Sequence, residues 1–220
     1  MTEPSGGSTD KPRRPVVVPA IALTAFTVVG ITALLGGLSE APDEPEPLSQ
    51  GAVLDQGRYS TKFVGSRVTV EKGQFDWEED KRFVELVFDV VNLGDDTSGI
   101  GMPPEKPESA VTSGDFAGSL IKISPAFPKD AGPFTFVRVK GGESRQLHPG
   151  VQSEVILRYR LKENEQPPEK ITLDVGSFEY SADPVAALPY WSLASKEVGD
   201  RQMPEIKARV VLPVKKEGTT

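Results

Sequence analysis

Cysteine is absent from this 220-residue chain. That excludes a disulfide framework, a thiolate metal site, a lipid-modified cysteine and a cysteine nucleophile. It does not fix the compartment, because an exported domain with a large enough core holds together without disulfides. Histidine occurs once, as His148 in QLHPG. A Ser-His-Asp triad would have to use it as base. A solvent-exposed residue at a Pro-Gly turn is the plainer reading. One histidine and no cysteine leave no ordinary ligand set for zinc. A phosphate-cradling loop is also missing, since GGLSE and KGGES lack the required lysine and spacing.

Basic surplus is lacking too. The chain has 25 Lys and Arg against 32 Asp and Glu, a net charge of -7. Residues 1–14 carry +1, residues 39–57 carry -5 and residues 58–220 carry -3. The part expected to fold is thus nearly balanced and has no basic stripe. Nucleic acid is not an expected partner.

One long apolar run is present. Val16 to Leu38 holds no charged side chain over 23 residues, roughly 34 Å as a helix at about 1.5 Å per residue. A bilayer core is about 30 Å thick, so such a helix spans it. Pro15 and Pro19 fall in the first turns, and Gly36 and Gly37 at the far end. A secretory signal is the competing reading. Its apolar core is shorter, about 7–15 residues. The small-x-small site Ser39–Glu40–Ala41 is followed by Pro42, which opposes cleavage. Lys11, Arg13 and Arg14 precede the run and acids follow it, so the N-terminus is expected inside the cell.

These features divide the chain. Residues 1–14 are expected to be a disordered cytoplasmic tail and 15–38 a transmembrane helix held in the lipid bilayer through residues 16–38. Residues 39–57 have three prolines and five acids and read as an extended spacer. Residues 58–214 are expected to form an extracytoplasmic β-domain, with 215–220 a C-terminal tail.

After Arg58 no stretch keeps helical periodicity. The best candidate helix, Val185–Leu193, is interrupted by Pro189. Period-two alternation takes over at 84–90, 154–161, 171–175 and 206–214, each with one charged face. Shorter candidate strands lie at Lys62–Val64, Arg67–Glu71, Leu120–Ile123 and Phe134–Val139. Turn residues separate them. The expected fold class is all-β, an immunoglobulin-like β-sandwich of 7–8 antiparallel strands, with a closed barrel as the second choice. Residues 101–118 and 182–205 are long for connections; such loops are often functional and are also simply tolerated.

The order FVGSRVTVEK, RFVELVFDVVNLGDD, LHPGVQSEVILRYRL, ITLDVGSFEY and EIKARVVLPVK behind a single anchor resembles uncharacterised membrane-anchored proteins of actinobacteria. It is also similar to secreted immunoglobulin-like domains of unknown function from Gram-positive bacteria. The shared marks are a strand ending in Val-x-Asn-x-Gly, here Val90 to Gly94, and a Leu-x-Pro-Gly turn, here Leu147 to Gly150. The resemblance covers roughly 58–214. It implies a fold and a location and supplies no catalytic residues.

Candidate sites are therefore read from the residues. Acids cluster in DWEED (Asp76, Glu78, Glu79, Asp80) and in NLGDDTSG (Asn92, Asp95, Asp96). Oxygen-rich loops bind Ca²⁺, but neither cluster has the spacing of a calcium loop. Tyr190, Trp191 and Trp77 are the candidate partner contacts, because exposed Tyr and Trp anchor proteins and sugars. For Trp191 a core position competes with that role. The expectation is a non-enzymatic binding module of the cell envelope, with no cofactor and an unidentified protein or envelope partner. A carboxylate-dependent cell-wall hydrolase and a Ca²⁺ or small-ligand sensor are the alternatives.

Overall fold

A computed structural model describes residues 44–73, 75, 77–182 and 189–216. The segments expected to form the tail, the membrane span and the first part of the spacer lie outside the described residues, as do Gln74, Asp76, residues 183–188 and the last four residues. Among the described residues no helix is long and apolar enough to cross a membrane.

The described chain is all-β. Its early strands are β1 (Glu46–Ser49), β2 (Val53–Asp55), β3 (Tyr59–Glu71), β4 (Lys81–Asn92) and β5 (Ser98–Gly99). The middle of the chain supplies β6 (Leu120–Ser124), β7 (Phe134–Val139), β8 (Gly142–Ser144), β9 (Gln146–Leu147) and β10 (Gln152–Leu161). Then come β11 (Lys170–Val175), β12 (Phe178–Ala182), β13 (Pro189–Leu193), β14 (Ser195–Val198), β15 (Arg201–Pro204) and β16 (Ala208–Lys215). All eight stretches with strand signal in the sequence are strands here, and the two short ones at 62–71 fuse into β3.

Ten of these strands form one sheet, with main path β6-β11-β16-β3-β4-β10-β7-β8. Most neighbours are antiparallel. Two pairings are parallel, β1 on β16 and β16 on β3. The second is only two residues long, Val214 with Ser66 and Lys215 with Arg67. The sheet is curled. Alternation explains its core. Val84, Leu86, Phe88 and Val90 of β4, Val155, Leu157 and Tyr159 of β10, Ile171 and Leu173 of β11, and Val210 and Leu212 of β16 enter one core. Removing that much apolar surface from water is the main favourable term.

Two expectations need correction. The spacer was expected to run to residue 57, yet β1 and β2 lie inside it and belong to the fold. Leu54 is buried and Leu48 packs on the core, while Glu46 and Asp55 stay exposed. Acid and proline therefore mark only the outer side of these edge strands. The strand count of 7–8, all antiparallel, is likewise too simple. The stretch Val185–Leu193, read as interrupted by Pro189, is strand at its described end, where Pro189–Leu193 is β13, paired with β12.

The described parts of the two long connections are structured. Residues 101–118 include short 3₁₀ turns at Pro107–Ala110 and Phe116–Ser119. Phe116 is fully buried and meets Tyr59 and Phe88 edge-on, with ring centroids 5.8 and 5.6 Å apart. Residues 182–205 contribute the β14–β15 hairpin and all of β13.

Candidate functional site

The candidate aromatics do not share a site. Trp77 lies in the turn between β3 and β4, beyond the Glu71–Lys81 pair that ends the ladder there. Trp191 lies at the other end. A Cβ on Gly94 would sit 3.6 Å from its indole Nε1, and one on Gly57 3.8 Å from its ring. Between the two ends runs β3, thirteen residues long, or roughly 40 Å at about 3.3 Å per residue.

At the β3–β4 turn, Trp77 is 80% exposed and stacks on Phe75, itself 55% exposed. Their ring centroids are 4.7 Å apart and the planes differ by 1°. Each ring covers one face of the other and leaves one free. A stacked pair held in water is an exposed apolar surface without a core to serve.

Trp191 behaves differently. It is half-buried and packs against the core, which favours the core reading. Tyr180, its cross-strand partner, covers it at 5.0 Å between ring centroids. Tyr190 points to the other side of the hairpin and is half exposed. The indole fits because its neighbours are glycines. Gly57 has φ +84°, and a Cβ there would lie 2.5 Å from the Phe178 carbonyl oxygen.

The two marks quoted for the family resemblance meet in space. The Asn92 amide donates to the carbonyls of Asp96 (2.7 Å) and Leu147 (3.0 Å). Its side-chain oxygen accepts from the Gly94 N–H, and its backbone carbonyl accepts from Gly150. Asn92 thus pins the 93–98 turn to the Leu-x-Pro-Gly turn. His148 is exposed there and its Nδ1 is 3.0 Å from Thr97 Oγ1. Among the described residues no carboxylate bonds to it.

Buried charge sits elsewhere, on the outer face of β4. Glu85 is 1% exposed. Arg67 Nε and Nη2 each approach its Oε2 at 3.0 Å. Arg158 reaches Oε1 from Nε at 3.1 Å and from Nη2 at 2.8 Å. Burial pushes the carboxyl up, but hydrogen bonds from Arg158 and Arg67 outweigh it, and the group titrates below the usual range. Arg158 in turn lies over Phe83 and Phe136, at 4.8 and 5.1 Å from the ring centroids. Asp174, also buried, accepts from Arg209 at 2.7 Å. Both acids are locked in ion pairs and face away from the core.

Near the Trp77 turn lies a charged depression of about 570 Å³. Glu79, Asp80, Asp130 and Glu163 alternate there with Lys81, Arg82, Arg160 and Lys162. Lys72 and the Gly73 N–H hold the Asp80 carboxyl below its usual range. Asp80 is therefore unsuited to give a proton near neutral pH. Lys162 pairs with Asp130 at 3.6 Å. Among the described residues no group of three acids or histidines is placed to hold a metal ion. A further, more apolar groove of about 730 Å³ runs beside β6.

No protein family, no curated protein and no solved structure matches this chain. The geometry above is what the function has to be read from.

Proposed function

We propose that this protein is a membrane-anchored extracytoplasmic binding module, an immunoglobulin-like sandwich without a catalytic centre, that engages a protein or cell-envelope partner. The reading rests first on the sequence: a charge-free 23-residue run with basic residues before it and acids after it. The curled sheet around one core supports the sandwich. The observation that carries the binding role is the stacked Phe75–Trp77 pair, 55% and 80% exposed at the tip of the longest hairpin. Rigid aromatic surface of this kind supplies contact area at small entropic cost.

The test is a site-specific cross-link in intact cells. A benzoylphenylalanine replacing Trp77 should give one recurrent adduct of defined mass. The same group at Val139, exposed on β7, should not give that adduct. Identical adducts from both positions, or none from either, would contradict the role assigned to the tip.

A further inference from the structure

Several strand ends meet where the described fold begins. The Glu46 N–H donates to the Lys207 carbonyl at 3.0 Å, and the Lys207 N–H donates to that of Val175 at 2.8 Å. The next carbonyl, Gly176, accepts from the Gln56 side chain, and the Gln56 carbonyl accepts from the Phe178 N–H. The start of β1, the end of β11, the entry to β3 and the base of the β12–β13 hairpin therefore share one end of the domain. Trp191, beside Gly57 and Gly94, is at this end. The Trp77 turn is at the other, beyond the far end of β3.

Covalent geometry bounds the distance from this end to the apolar run. Only residues 39–45 separate Leu38 from Glu46. A fully extended chain covers about 3.3–3.6 Å per residue, so Glu46 lies within roughly 25–30 Å of Leu38. The headgroup layer takes up about 5–8 Å of that. A span ending at Leu38 thus holds this end of the domain within roughly 20 Å of the headgroup surface. What the end exposes suits that neighbour. Tyr180 is 60% exposed, and Tyr190 and Leu93 are each 50% exposed. Tyr180 leans on Trp191, and Leu93 precedes Gly94, which adjoins the Trp191 indole. Tyrosine and tryptophan are favoured at headgroup depth because each joins an apolar ring to a polar edge. The exposed charges beside them include Glu46, Asp95, Asp96 and Glu179, against Lys207. Such a rim is not drawn to anionic lipid, so the rings carry the contact and the tether supplies the local concentration.

We propose that this end of the domain rests on the bilayer that holds the anchor, with Tyr180 and Tyr190 at the depth of neutral phospholipid headgroups. The proposal rests on the reading of residues 16–38 as a membrane span, and adds a second attachment to the same lipid. It also aims the Trp77 tip away from the surface. The thirteen residues of β3 separate the two ends by roughly 40 Å at about 3.3 Å per residue, so the tip meets its partner at that height.

The experiment uses the full chain reconstituted in phosphatidylcholine vesicles that contain a headgroup-nitroxide lipid. The chain has no cysteine, so Asp95→Cys and Trp77→Cys each take one fluorophore. Flotation with the vesicles reads the anchor, and nitroxide quenching reads the contact. Quenching should be about threefold stronger at Asp95→Cys than at Trp77→Cys. Adding Tyr180→Ser and Tyr190→Ser to the Asp95→Cys chain should remove about half of that difference or more, whereas Tyr180→Phe with Tyr190→Phe should keep it. Tyr180 also covers Trp191, so Tyr190→Ser alone is the second variant. It should weaken the quenching without lowering the unfolding midpoint, since Tyr190 lies on the hairpin face away from Trp191. A chain that floats but quenches equally at the two positions overturns the proposal and leaves the anchor standing. Quenching that the serine changes leave unaltered means tethering alone and overturns it too. So does a label that responds to the protein-to-lipid ratio and not to nitroxide, which makes a second copy the occupant. A chain that fails to float refutes both the anchor and the docking.

Discussion

Replacing Glu85 tests how the charged face of the sheet is held. The carboxylate is 1% exposed and takes four guanidinium contacts of 2.8 to 3.1 Å. Breaking a buried pair from one side costs about 3–5 kcal/mol, because the remaining charge is left uncompensated. Arg67 is 40% exposed and Arg158 23%, so water relieves part of that, and Arg158 keeps Glu71 at 3.3 Å. Glu85→Gln, which keeps the shape, should therefore cost about 2–3 kcal/mol at pH 7. With a urea m-value of about 2 kcal/mol/M, the midpoint should fall by about 1–1.5 M. The loss should depend on pH. The folded-state carboxyl titrates below its unfolded value of about 4.3, so its ionised form stabilises the fold fully above that value. The contribution disappears as pH falls through the lower, folded-state value. The gap between parent and variant should thus be constant from pH 7 to 5 and close below pH 4. Urea unfolding in micelles, followed by tryptophan fluorescence, reads both. A cost under about 0.5 kcal/mol, or a gap that persists at low pH, would refute the reasoning.

Asn92→Ala should cost about 2–3 kcal/mol, because it leaves the Leu147 and Asp96 carbonyls and the Gly94 N–H without their partner; urea unfolding checks it. Leu173→Ala, fully buried in the shared core, should cost about 2–5 kcal/mol by the same assay. Trp77→Ala should leave stability within about 0.5 kcal/mol yet abolish partner recovery by chemical cross-linking in cells. Trp191→Ala should instead lower stability by about 1–3 kcal/mol, less than a fully buried Trp would, because the ring is half-buried.

The strands were legible because one face of each carries charge and the other does not. Val84, Leu86, Phe88 and Val90 announce the core side of β4 without any structure. The same pattern misled at Glu85. A charge on the outer face reads as solvated, and its burial depends on Arg67 and Arg158, which arrive from strands 18 and 73 residues away. Asn92 was visible as part of a motif, but its contact with Leu147 spans 55 residues. The strands at Glu46–Ser49 and Val53–Asp55 were hidden by acids and prolines, which signal a spacer whenever the partner strand is unknown. Residues 101–118 stood out as a long connection, and five of them line the groove beside β6. Nothing local marked Tyr159 as part of that groove, since in sequence it is one more core-side residue of an alternating strand.

The central claim is that the β-domain stands outside the cell on a membrane anchor. The chain has no cysteine, so a single Val139→Cys substitution gives a unique label site on an exposed strand. A membrane-impermeant maleimide should label it in intact cells, with the labelled protein recovered in the membrane fraction at its full length. Labelling only after lysis, or recovery of the label in a soluble product shorter by the first forty or so residues, would contradict the account.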